Sequence, residues 1–159
     1  MGRLLTLRTS GTASATVQRA VVRFRVRGAS LGLRATKTDE LIHQMEQGLS
    51  FQALHSLASV SGLAIRVLAS LLGIPERTLA RRHAAGRLAP DESERLLRIS
   101  TVFEKAVELF EGDVAAAVAW LTAPKKVFAG KAPLAYARTE LGAREVEALI
   151  GRLEHGVFS

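Results

Sequence analysis

The chain has 159 residues, 48% of them apolar, enough for one or two small domains with a buried core. It contains no Cys, which excludes a disulfide framework, a thiolate metal site and a Cys nucleophile, and is compatible with a reducing, cytoplasmic compartment. The net charge of +7 belongs to one segment: Arg3, Arg8, Arg19, Arg23, Arg25, Arg27 and Arg34 lie in residues 1–35 with no acid among them, while the rest balances 15 basic against 15 acidic groups. DNA binding therefore cannot be read from overall basicity and must be judged on local patches.

Residues 1–35 are rich in Arg, Ser and Thr and lack a long apolar run, which excludes a secretory signal. Val22-Arg23-Phe24-Arg25-Val26-Arg27 alternates like a strand, yet no partner strand is evident nearby. The segment is expected to be a disordered arm. It is open whether it contacts phosphates, has no role, or precedes the true start of the protein.

Helical signals begin at Thr38, a candidate cap, followed by Asp39 and Glu40 against the positive end of the helix dipole; Gly48 is the expected stop. Phe51, Leu54, His55 and Ala58 share one face of a second helix, expected from Ser50 to about Val60. Between Leu63 and Gly86 the pattern is that of a helix-turn-helix. Small Ala69 lets two helices approach, Gly73 takes the turn, Ile74 and Leu79 lock the second helix to the first, and Pro75 starts it where its missing N–H costs nothing. Ala64 stands where a Ser-type cap is usual.

With Leu79 inward, a rotation of about 100° per residue puts Arg77 and Arg81 nearly opposite, flanked by Thr78, Ala80, Ala84 and Ala85. Two guanidiniums one turn apart can bind guanine edges or phosphates, Thr78 adds a hydroxyl, and the alanines let the backbone come close. Arg82 falls nearer the packed side, where phosphate contact and intramolecular pairing are equally open. Arg66 on the preceding helix and Arg87 in the following loop are candidates for flanking phosphates.

Pro90-Asp91-Glu92 opens a long helix whose Leu96, Ile99, Phe103, Ala106 and Phe110 form a heptad-like seam. The seam is too short for a coiled coil and is expected to be core, with dimerisation the alternative. Asp113 is the expected cap of the next helix, through Leu121, which Pro124 stops. Trp120 is read as core. Val146, Leu149, Ile150 and Leu153 then make the apolar stripe of a last helix, Gly156 sits where a left-handed residue would end it, and Val157, Phe158 and Ser159 project beyond.

The stretch from about Thr36 to Ser159 resembles the Xre/MbcA/ParS antitoxins. The resemblance rests on Asp39 to Gly48 (DELIHQMEQG), Leu71 to Arg82 (LLGIPERTLARR), Arg87 to Ser93 (RLAPDES), and Glu140 to Glu147 (ELGAREVE) running into the tail. Trp120-Leu121, Pro124, Gly130 and Pro133-Leu134 are similar to the toxin-binding domain of that family, although Lys125-Lys126-Val127-Phe128-Ala129 departs from its usual polar, leucine-rich loop.

The resemblance implies an all-α protein in three parts: the arm (1–35), a helix-turn-helix domain (36–103) and a small helical toxin-binding domain (104–159). It implies a bacterial, cytoplasmic antitoxin that represses its own operon by binding double-stranded operator DNA, acts as a homodimer, and neutralises a RES-type, NAD-consuming toxin. The candidate DNA-binding residues are Arg66, Arg77, Thr78, Arg81, Arg82 and Arg87. The candidate toxin-binding residues are Arg152, Glu154, His155, Gly156, Val157, Phe158 and Ser159.

The alternative is a transcriptional regulator with no toxin. An enzyme is not expected: Ser and His have no paired motif, and no glycine loop is suited to phosphate. Neither cofactor nor metal is expected, since His43, His55, His83 and His155 lack ligand spacing. The longest apolar run, Val114 to Leu121, is far short of the roughly 20 residues of a membrane span.

Overall fold

The computed structural model describes residues 21–156. Among them every regular element is a helix or a 3-10 turn, apart from one isolated bridge pairing Ser50 with Arg87. The all-α expectation holds.

α1 (Thr38–Gln47) starts one residue earlier than the sequence suggests: Lys37 occupies the cap position and Thr38 is already helical, with Asp39 and Glu40 in the first turn. Gly48 ends it at φ 79°, and a Cβ there would collide with the carbonyl of Leu88. That close approach fastens the loop after α1 to the loop before α5. The Leu88 N–H donates to Leu49 O (2.8 Å) and the Phe51 N–H to Gly86 O (2.9 Å).

α2 (Gln52–Ser61) buries Leu54 and Leu57. α3 (Ile65–Leu71) and α4 (Glu76–Ala85) form the expected helix-turn-helix, with Leu68, Ala69, Leu72 and Ile74 buried at its elbow. Gly73 makes the turn at φ 68°, and the Ile74 N–H donates to Ala69 O (2.9 Å).

α5 (Pro90–Leu109) is the axis of the molecule. Pro90 occupies the first turn, and Glu92 reaches back to accept the Ala89 N–H (2.8 Å). Leu96, Ile99, Val102, Phe103, Ala106 and Val107 are all buried, each large apolar side chain stabilising the fold by about 1.5–3 kcal/mol. The seam read from the sequence is therefore intramolecular core.

α6 (Val114–Thr122) is capped by Asp113, whose carboxylate accepts the Ala116 N–H (3.1 Å). Trp120 is half-buried, 6.4 Å from Phe110 and under the Lys125 ammonium. Beyond Pro124, Phe128 stacks on Tyr136 of the short α7 (Pro133–Tyr136) at 4.8 Å.

α8 (Glu140–Glu154) is capped by Thr139, which accepts the Gly142 N–H (3.0 Å). It lies along α5 with Val146 and Ile150 fully buried, while Arg98 to Glu140 and Lys105 to Glu147, each 3.3 Å, tie the two helices at their edges.

A second expectation is corrected as well. Residues 21–35, assigned to a disordered arm, are packed. Val22, Phe24 and Val26 turn inward and Arg23, Arg25 and Arg27 outward, so the strand-like alternation is real, but it lies against helices. The Val22 N–H donates to Gly112 O (3.1 Å) and the Phe24 ring sits 5.7 Å from that of Phe103.

The strap closes with a 3-10 turn, Ala29–Leu31, wrapped around the buried carboxylate of Glu104. That group accepts the Gly28 N–H (3.2 Å), the Ser30 N–H (2.8 Å) and the Ser30 hydroxyl (2.6 Å). Arg3, Arg8 and Arg19 lie outside the described residues.

Candidate nucleic-acid interface and toxin-binding end

α4 buries none of its residues fully. Leu79 turns inward and is half-buried, Arg77 and Arg81 are exposed, and Thr78, half-buried, accepts a 3.3 Å bond from the Arg81 guanidinium. Arg77 makes no hydrogen bond or ion pair among the described residues. The structure thus brings Arg77, Thr78 and Arg81 to one solvent-facing stretch of helix, as the rotation argument required. Exposed Ala80, Ala84 and Ala85 add no bulk.

The other three candidates are engaged within the chain. Arg66 meets Glu76 across the helix-turn-helix at 3.4 Å, both side chains about four-fifths exposed, a contact worth little and free to exchange for a phosphate. Arg87 donates to the carbonyls of Gln47 (3.2 Å) and Gly48 (2.7 Å), so it fastens the loop after α1. Arg82 donates through Nε to Glu92 at 2.7 Å. That hydrogen bond, with the attraction of the carboxylate, holds the guanidinium pKa above its usual value. Of the two uses left open for Arg82, intramolecular pairing is the one seen.

Sequence reasoning missed the second use of Glu92. It stands three residues after Ala89, where an acid can reach back to the N-cap backbone N–H, and it does so while also taking Arg82; Ala89 has no side-chain acceptor to complete a capping box. It missed a further contact behind α4 as well: the rings of His55 and His83 lie 5.2 and 5.0 Å from that of Phe51. Two grooves of about 1000 and 830 Å³ share Arg25, Val26, Arg27 and Glu147 as lining, and no residue of α4 borders either. Nor do three or more His, Asp or Glu gather in a metal-binding arrangement among the described residues.

At the other end, α8 closes as read from the sequence. His155 is its C-cap, Gly156 follows at φ 64° with its N–H donated to Leu153 O (3.3 Å), and Arg152, Glu154, His155 and Gly156 are exposed. Val157, Phe158 and Ser159 lie outside the described residues. No single helix among the described residues is long and apolar enough to cross a membrane.

Residues 40–100 match the antitoxin Xre-like helix-turn-helix domain, and residues 105–156 match the antitoxin Xre/MbcA/ParS C-terminal toxin-binding domain. An antitoxin Xre of Yersinia enterocolitica is 39% identical over 130 residues, 81% of this chain and 88% of the relative. One of Photorhabdus laumondii is 30% identical over 131 residues, 82% and 88% of the two chains. One of Pseudomonas putida is 34% identical over 84 residues, 52% of each.

A helix-turn-helix joined through one long helix to a toxin-binding domain defines a DNA-binding antitoxin. The chain belongs to the Xre antitoxin family.

Proposed function

We propose that this antitoxin neutralises a RES-type toxin that consumes NAD, by carrying the end of α8 and the residues after it into the toxin's active-site cleft. We further propose that it represses its own operon in the bacterial cytoplasm as a homodimer, reading operator DNA with Arg77, Thr78 and Arg81. DNA reading is assigned to residues 36–103 and toxin holding to 104–159, a division that passes through α5. Arg66 supplies a flanking phosphate contact. Arg82 and Arg87 support the site from within.

The observation that carries the toxin reading is the way α8 ends. Its inward stripe is anchored by Val146 and Ile150, so Arg152, Glu154, His155 and Gly156 are exposed on a rigid support, with Val157, Phe158 and Ser159 next in the chain. An anionic group there matches cationic residues that would hold the phosphates of NAD, and Phe158 matches an apolar slot.

Removing residues 156–159 leaves the buried anchors of α8, Val146 and Ile150, in place. The truncated protein is expected to bind operator with unchanged affinity and to fail, wholly or in part, to restore growth of cells expressing the cognate toxin. Full rescue with full inhibition of the toxin would overturn the blocking mechanism. For DNA, Arg77→Ala with Arg81→Ala should cost about 1–3 kcal/mol per lost base contact, measured by gel-shift titration, without lowering the melting temperature.

A further inference from the structure

α4 has little to hold it in place. With no fully buried residue, its apolar attachment is half-buried Leu79, supported by the elbow at Ile74 and by His83 against Phe51. A helix held along so narrow a line resists being pulled away better than it resists rolling about its own axis. A roll of one residue's width, about 100°, would carry Arg77 and Arg81 off any base they read. Something off that line must stop the roll.

Arg82 and Glu92 meet this requirement. Arg82 lies three residues beyond Leu79, in the last turn of α4, and its Nε is 2.7 Å from Glu92 Oε1. Glu92 is almost wholly buried, its side chain 7% exposed, and the same oxygen accepts the Ala89 N–H at 2.8 Å. A carboxylate fixed by its own helix start cannot follow the arginine, so the arginine must come to it. Such a charge-assisted bond is both stronger and more directional than a neutral one.

We propose that Arg82 and Glu92 are positioning residues for operator recognition: Glu92 is the fixed post that sets the roll of α4, and Arg82 is the tether that holds it there without touching DNA. This rests on the reading of α4 as the helix that enters the major groove. It goes further by assigning sequence discrimination, as distinct from affinity for DNA in general, to a pair facing away from the groove.

The test measures affinity for the operator and for a scrambled duplex of equal length, at several salt concentrations, with the full-length protein. Glu92→Gln keeps an oxygen for the Ala89 N–H and removes the charge, while Arg82→Met keeps much of the length and removes the donor. Each is expected to lower the operator-to-scrambled ratio about tenfold or more, with binding to scrambled duplex and the slope of log affinity against log salt both nearly unchanged. The double variant should do no worse than either single one, because the two act as a unit.

Three results would overturn the proposal: an undiminished ratio in Glu92→Gln, a shallower salt slope in Arg82→Met that marks Arg82 as a phosphate contact, or equal losses on both duplexes that track a lower melting temperature. Failure of the underlying reading is separately visible. In that case Arg77→Ala with Arg81→Ala would leave operator affinity unchanged.

Discussion

α4 and α8 each carry the contact surface proposed for their half of the molecule, yet they are built on opposite plans. α8 buries Val146 and Ile150 completely along α5 and presents its business end only where the helix stops. α4 fully buries nothing and presents a whole face, fixed by the half-buried Leu79, by His83 against Phe51 and by a single ion pair to a buried partner, Arg82 with Glu92. A helix that reads a groove must keep most of its circumference free. One that holds out a terminus can sink its sides into the core. The same hydrophobic effect therefore supports α8 strongly and α4 weakly, and polar contacts make up the difference in α4.

The strongest challenge to this contrast is to cut the apolar anchor of each helix. Ile150→Ala should cost about 2–5 kcal/mol in chemical denaturation, as expected for a fully buried aliphatic side chain. Leu79→Ala, already half in solvent, should cost under about 2 kcal/mol while sharply weakening operator binding. Equal stability losses would mean that α4 is embedded as deeply as α8 and would end the contrast.

A smaller effect sharpens the comparison at the strap. Burial pushes the Glu104 carboxyl up from its ordinary pKa of 4.5, against the pull of the Ser30 and Gly28 hydrogen bonds and the Arg27 charge. A carboxyl with a raised folded-state pKa contributes stability that is full below its unfolded value and is lost as pH rises through the folded one. The parent should thus lose stability relative to Glu104→Gln as pH climbs from about 4.5. Parallel pH profiles for the two proteins would show that the hydrogen bonds fully offset the burial.

The smallest effect belongs to Arg144→Ala. It breaks an exposed i,i+4 pair with Glu140 and should change stability by less than about 0.5 kcal/mol.

The contrast was visible in the sequence, because it is written in local periodicity. The stripe of α8, the outward Arg77 and Arg81, the Asp113 cap, the turn at Gly73 and the stop at Gly156 each depend on residues within about two turns of one another. What escaped is non-local. Glu92 is ten residues from Arg82, and Glu104 is 74 from Ser30, separations that no periodic pattern spans. The strap misled for a related reason. Its alternation of apolar and basic residues suggested a strand in need of another strand, whereas the surface that accepts Val22 and Phe24 is helical. Residues 157–159 enter the proposed toxin contact through family resemblance alone, since three residues carry no periodicity of their own.

α5 runs 20 residues with Pro confined to its first turn and no Gly, so it spans about 30 Å without a hinge. One extremity anchors α4, the helix proposed to read the operator, and the other lies along α8. Surveyors would call it a baseline: once one extremity is located, the other follows. On the proposed mode of action, a toxin held at the end of α8 stands at a fixed offset from the double helix, and the spacing between neighbouring operator sites decides whether two loaded antitoxins fit side by side or exclude each other.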